Sequence, residues 1–199
     1  MTSPSQAPPR RRLAREQRTR QLLDVAWILI GQEGSDALTL GRLAEAAGVT
    51  KPVVYDHFGT RNGLLAALYE DYDMRQTRVF DAAVDAAPAT RHGKANVIAC
   101  SYVDCVLSQG HEISSVLAAL SGSPELAAVK RRYQAAFIDK CRGILAPFVG
   151  NSGIPLSSMW AVLGAADALA DAAALGEISR RQACEELEQT LLGVIERSG

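Results

Sequence analysis

The sequence is short of strand-forming residues. Its 14 Val, 9 Ile and 8 Thr together do not outnumber its 32 Ala, and alanine is the best intrinsic helix former whereas β-branched residues favour sheets. No segment alternates apolar and polar residues for long enough to read as a strand. Long hydrophobic runs are missing too. The most apolar stretch, Met159 to Leu175, is interrupted by Asp167 and Asp171, each costing roughly 2.5–3.5 kcal/mol near a bilayer centre, so no membrane partner is expected. The first residues pass from Pro and Ser to Arg10, Arg11 and Arg12 with no apolar segment between, which lacks the pattern of a secretory signal and points to the cytoplasm. Four cysteines (Cys100, Cys105, Cys141, Cys184) contain no CxxC pair and no ligand rhythm, which speaks against zinc and for reduced thiols in helices. Three scattered histidines (His57, His92, His111) and no paired carboxylates give no nucleophile–base constellation. Neither an enzyme, nor a cofactor, nor a metal site is expected.

What remains is an ordinary globular composition, 48% hydrophobic and 22% charged over 199 residues, enough for one medium domain or a small one joined to a larger one. The net charge of -1 hides an asymmetry. Residues 1–61 hold nine basic and six acidic side chains, whereas residues 62–199 hold twelve and sixteen. Six Arg and one Glu fall within residues 10–20. A +3 segment followed by a -4 segment suits a protein with one anion-facing end.

The helical pattern starts near Arg15, where Leu22, Val25, Ala26, Leu29 and Ile30 share one face up to Gly31 or Gly34. Two short helices follow. One runs from about Leu40 to Ala47, between a Thr39 cap and a Gly48 stop, and the other from Lys51 to Phe58, with Pro52 in its first turn and Gly59 at its end. Thr60 can cap a long fourth helix reaching Pro88, and further helices read as about 93–109, 112–120, 124–148, 156–175 and 180–197. Ser123-Pro124 and the capping box Ser179/Gln182 mark two of the starts. The expectation is all-α, with about nine helices and no sheet.

The stretch from Leu38 to Leu65 carries the function. Two short helices meet at Ala47-Gly48-Val49, a corner that needs the left-handed backbone glycine allows. Leu43, Ala44, Val54 and Phe58 supply a small core, which makes a helix-turn-helix whose second helix suits the major groove. Thr50, Lys51, Tyr55, His57 and Arg61 offer five donors for phosphate oxygens, and Pro52 and Val53 offer apolar contact for thymine methyls. Both short helices present N-termini that attract phosphate. Tyr55 reads as a dual residue, ring packed and hydroxyl outward. The Arg10–Arg12 cluster reads equally as a solvated tail or as an arm tracking DNA.

This stretch resembles the DNA-binding segment of TetR-type (TetR/AcrR) transcriptional regulators, through Thr39, Leu40, Leu43, Ala44, Ala47, Gly48, Val49, Thr50, Val54, Tyr55, His57, Phe58, Arg61 and Leu64. The close resemblance covers about residues 15–72. Pro52 departs from the family's usual Gly or Ala, and Asn62-Gly63 stands where acidic residues are commoner, which is expected to weaken the start of the fourth helix slightly. The resemblance implies a three-helix DNA-binding domain at 15–62, after a flexible basic tail at 1–14, and a helical effector-binding and dimerisation domain at 63–199. It implies that Thr39, Thr50, Lys51, Tyr55, His57 and Arg61 touch operator DNA. It also implies a homodimeric repressor released by a small-molecule effector, with the fourth helix as the lever. A helical small-molecule enzyme and a helix-turn-helix module for protein assembly are the rival readings.

Beyond residue 90 the sequence says less. Ala161, Ala165, Ala168 and Ala172 form a stripe small enough for a second helix to approach, and with Leu187, Leu191 and Val194 it is the candidate dimer surface. Tyr102, Cys105, Phe137, Met159 and Trp160 are candidates for an effector pocket, though such residues are more often plain core.

Overall fold

A computed structural model describes residues 14–108 and 111–199. The expected tail, including Arg10–Arg12, lies outside the described residues except for Ala14. Nine α-helices and no strand occur among the described residues: α1 Arg15–Glu33, α2 Leu40–Ala47, α3 Lys51–Phe58, α4 Arg61–Ala86, α5 Arg91–Leu107, α6 His111–Ser121, α7 Pro124–Leu145, α8 Leu156–Ala174 and α9 Arg180–Arg197. None of these is long and apolar enough to cross a membrane.

Local chemistry explains most of the boundaries. The Thr39 hydroxyl accepts from the Arg42 amide at 3.0 Å, and the Thr60 hydroxyl from the Gly63 amide at 3.0 Å. Ser179 and Gln182 close a reciprocal capping box on α9. Thr90 caps α5 through the Gly93 amide, a start that lies before the expected residue 93. Ser123 sits in extended conformation ahead of Pro124 without a side-chain cap bond. The seventh helix stops at Leu145, not 148, and tightens into a 3-10 turn at Ala146–Phe148. Pro147 has no N–H to continue the α-helical ladder.

The chain divides into two compact units, one ending at Leu64 and one beginning at Leu65. The first, the head, buries Leu22, Leu23, Ala26, Leu29 and Ile30 of α1 with Leu38, Leu40, Leu43, Ala44, Val54 and Phe58. Three helices of eight to nineteen residues thereby share one apolar centre, which short helices need because they are marginal in isolation. The second unit, the body, has a core drawn from α4, α5, α7, α8 and α9, with α5 packed along α9 and α8.

Candidate nucleic-acid interface

In the head, α2 ends at Gly48 with φ 64°, and the amides of Gly48 and Val49 return to the carbonyls of Glu45 and Ala44 at 3.1 and 3.0 Å. That closure turns the chain sharply into α3, which buries Val54 and Phe58 and leaves its other side outward. Thr50, Lys51, Pro52 and Tyr55 are exposed and Val53 is half-buried. Tyr55 keeps 53% of its surface, so its ring is less packed than a core role would require. The Thr50 hydroxyl makes no capping bond with α3.

Lys51 folds back across the start of α2. A Cβ built on Gly41 would lie 3.5 Å from Lys51 Cε and 3.9 Å from both Lys51 Nζ and Thr39 Oγ1. An ammonium is thus held beside the N-terminus of α2, whose dipole repels cations. An anion between them would satisfy both.

His57 and Arg61 are placed differently from Lys51. The Thr19 hydroxyl contacts His57 Nδ1 at 2.8 Å and also the Arg15 carbonyl at 3.1 Å. It has one hydrogen to give: spent on Nδ1, it leaves Nε2–H as a donor; spent on Arg15, it leaves Nε2 as an acceptor. Arg61 turns inward, its Nε donating to the Leu38 carbonyl at 3.0 Å and its terminal nitrogen to the Ser35 carbonyl at 2.7 Å. Of the eight candidate contacts, Thr39, Thr50, Lys51, Pro52 and Tyr55 present exposed side chains, Val53 and His57 are half-buried, and Arg61 is engaged inside the head.

Sequence spacing had no means of finding two further contacts. Arg15 on α1 donates to the Asp56 carboxylate at 2.8 Å and to its main-chain carbonyl at 3.0 Å, offsetting an acidic charge on the outward helix. Thr19 orients His57 in the same way. Each pair is separated by about 40 residues, so periodicity within one helix gives no sign of it.

Desolvation, and then the charge of Arg15, hold the His57 imidazole below its ordinary range, with Arg18 adding to this and Asp56 opposing it. Such a histidine is neutral in the folded head while the unfolded chain binds protons more readily. Its contribution to stability is therefore present above the unfolded pKa of about 6.5 and is lost as pH falls below it. Amide exchange in α1–α3 is expected to accelerate between about pH 7 and 5.5, after correction for intrinsic exchange, with a weaker acceleration in His57→Gln. Equal pH slopes in the two proteins would refute this.

A family model described as "Bacterial regulatory proteins, tetR family" matches residues 22–68, which take in α2, α3 and the start of α4. The chain is 44% identical over 55 residues to the HTH-type transcriptional regulator AcrR of Shigella flexneri, covering 27% of this chain and 26% of that protein. It is 32% identical over 85 residues to the HTH-type transcriptional regulator BetI of Brucella suis, covering 43% of each. The chain thus matches less than half the length of either curated relative. Its fold is similar along most of its length to that of a TetR-family transcriptional regulator from Streptomyces coelicolor, with TM-score 0.63, 22% identity and coverage of 92% and 96%. The fatty acid degradation regulator FadR from Bacillus halodurans is similar in fold as well, with TM-score 0.65, 16% identity and coverage of 87% and 97%. Residues 22–68 are a TetR-family DNA-binding segment.

In this TetR-type chain the body candidates separate into groups. Tyr102, Phe137 and Met159 line a narrow cavity of about 20 Å³ together with Ile98, Leu187 and Leu191. Tyr102 donates its hydroxyl to Asp167, and burial, followed by the Asp167 charge, drives its pKa upward. Cys105 does not line that cavity and lies 3.1 Å from the Tyr72 hydroxyl, and Trp160 carries the Arg131 guanidinium 3.6 Å above its ring.

The alanine stripe of α8 faces outward or is half-buried at Ala161, Ala165, Ala168 and Ala172. Leu187, Leu191 and Val194 do not share that exposure. All three are buried in the body's own core, because the apolar face of α9 is spent on α5 and α8. A partner chain would have to meet the polar side of α9. Among the described residues no group of three or more His, Cys, Asp or Glu is placed to hold a metal ion.

Proposed function

We propose that this chain is a DNA-binding transcriptional regulator, a homodimeric repressor that sits on a near-palindromic operator and leaves it when a small molecule binds the body. The placement of Lys51 beside the N-terminus of α2 carries the reading. A phosphate there would take the Lys51 charge, the Thr39 hydroxyl and the α2 dipole together, fixing α3 in the major groove with Thr50, Pro52, Val53, Tyr55 and His57 toward the duplex. AcrR of Shigella flexneri and BetI of Brucella suis, which share this segment, are HTH-type transcriptional regulators.

The proposed division is a DNA-binding domain at 15–62 and a helical ligand-binding and dimerisation domain at 63–199. The outward alanine stripe of α8 supports a helix-to-helix dimer contact, since small side chains let helices approach closely. The cavity bounded by Tyr102, Phe137 and Met159 supports an internal effector site. At about 20 Å³ it holds no more than a water, so an effector would bind by opening it, and would shift the DNA-competent form only by its differential affinity. A multidrug binding protein, EbrR, similar in fold at TM-score 0.65 and 19% identity, was crystallised with imidazole. The proposed place of action is the cytoplasm and the proposed role is not enzymatic.

The test begins with selection of bound sites from random duplexes. On the selected site, Lys51→Ala is expected to weaken binding and to lower the magnitude of the log–log salt slope by about one per protomer bound. Tyr55→Phe is expected to weaken binding at unchanged stability. Unchanged affinity and slope in Lys51→Ala would refute the docking, and the absence of any selected site would refute the function.

A further inference from the structure

Two thiols meet where α5 packs on α9. Small residues, Ala95 and Ala99 on one helix and Ala183 on the other, are fully buried in this seam and let the two backbones approach closely. Cys184 of α9 is buried in the core, and Cys100 of α5 packs against that core. Asn96 donates to Glu188 at 2.7 Å one turn to one side and Arg180 donates to Asp104 one turn to the other, so the antiparallel register of α5 and α9 sets Cys100 opposite Cys184. Cys100 is only partly buried. It lines an open surface groove of about 520 Å³ with His92, Asn96, Ser101, Asp104 and Glu188, so one sulfur of the pair meets solvent and the other is sealed behind it. Arg180 pairs with Asp104 at 2.5 and 2.7 Å on the same side of the seam. Cys141 is enclosed in the core, and Cys105 contacts the Tyr72 hydroxyl.

We propose that Cys100 and Cys184 are an oxidation site, a dithiol that hydroperoxides reaching the groove convert into a reversible disulfide across the α5–α9 seam. The Cys100 thiolate attacks one peroxide oxygen. An S–O bond forms, the O–O bond breaks, and the leaving alkoxide or hydroxide takes up the proton that Cys100 released. Cys184 sulfur then attacks the sulfenic sulfur, the S–S bond forms, and the hydroxyl departs as water with the Cys184 proton. Two thiols lose two electrons, and the hydroperoxide is reduced to an alcohol, or to water, plus one further water.

The assignment of roles follows from position. Burial, and then the hydrogen bond to Cys100, push Cys184 up to about 12, so it keeps its proton until Cys100 has reacted. A disulfide needs Cα atoms within about 7 Å, a separation that close packing through alanine allows. The bridge would also join two walls of the body cavity, since α5 supplies Ile98 and Tyr102 and α9 supplies Leu187 and Leu191. The proposal is independent of DNA binding, because its readout is thiol chemistry.

The full chain is treated with excess hydrogen peroxide, quenched with catalase, denatured, alkylated with N-ethylmaleimide and weighed intact. The wild type is expected to lose two of its four alkylatable thiols, to regain both with dithiothreitol, and to yield a Cys100–Cys184 cross-linked peptide from a monomeric band. Its melting temperature is expected to rise on oxidation and fall back on reduction. Cys100→Ser is expected to lose no pair of thiols and to show no rise. Because Cys184 is buried and its replacement endangers folding, Cys105→Ser is the second control and is expected to retain the bridge. Four alkylatable thiols after peroxide, sulfinic acid at Cys100 without a bridge, a bridge between chains, or paired loss in Cys100→Ser would each overturn the proposal.

Discussion

Arg61→Ala is expected to loosen the head by about 2–4 kcal/mol, because two charge-assisted hydrogen bonds of roughly 1.5–3 kcal/mol each are lost, less what water restores at a half-buried side chain. The guanidinium joins the start of α4 to the carbonyls of Ser35 and Leu38, in the segment between α1 and α2. Removing it leaves those carbonyls to find other donors at a place where Ser35 and Leu38 are buried. Amides of α1–α3 in the full chain are expected to exchange roughly 30- to 700-fold faster, at about 1.4 kcal/mol per decade, with those of α8 and α9 unchanged. Arg61→Lys separates this role from a phosphate contact. A lysine keeps the charge but cannot span two carbonyls in one plane, so most of the protection is expected to be lost in it too. Full protection in Arg61→Lys together with weakened DNA binding in Arg61→Ala would restore Arg61 to the DNA-facing set.

Gly63→Ala tests the same corner by steric means. A Cβ at Gly63 would intrude on the Phe58 main-chain carbonyl oxygen, which also accepts from the Thr60 amide at 2.7 Å. That oxygen belongs to the end of α3 and cannot move without disturbing the buried Phe58. Overpacking of this kind costs about 1–3 kcal/mol, against less than about 1 kcal/mol gained from alanine's helix propensity. A net loss is expected, read as faster exchange in α2 and α3. Gly143→Ala in α7 provides the opposite sign. Its added Cβ meets nothing within 4 Å, so a gain of about 0.5–1 kcal/mol is expected. A stabilised head in Gly63→Ala would show that the α3–α4 corner yields.

Gly63 also has a role that the sequence expectation did not include. The Asn62-Gly63 pair reads as a weak start for α4 where acidic residues are commoner. The structure gives the glycine a steric reason, since its amide reaches the Thr60 hydroxyl while its missing side chain leaves room for the Phe58 carbonyl. Propensity counts only the helix that contains the residue, whereas the clash comes from the helix before it. The seventh helix shows the opposite failure. Pro147 was visible in the sequence and sufficient to end α7 early, yet the apolar run continuing through Phe148 masked it.

The helix-turn-helix itself was legible because its signals are local. Thr39 and Thr60 bond amides three residues ahead, Gly48 takes a left-handed turn, and Leu43, Val54 and Phe58 recur at helical spacing. Charge partition along the chain was legible for the same reason. The dimer candidates on α9 were not, since Leu187, Leu191 and Val194 mark an apolar face without saying which neighbour covers it.

By itself, then, the sequence determined an all-helical chain, a TetR-type corner between two short helices, and an outward set centred on Thr50, Lys51 and Tyr55. All three depend on interactions spanning a few residues, which composition and spacing record directly. Only the tertiary structure decided that Arg61 turns inward, that Arg15 and Thr19 hold Asp56 and His57, and that Cys100 lies opposite Cys184. Long side chains and thiols choose their partners after the helices have packed, and nothing in the spacing of residues along one helix records which other helix will lie against it.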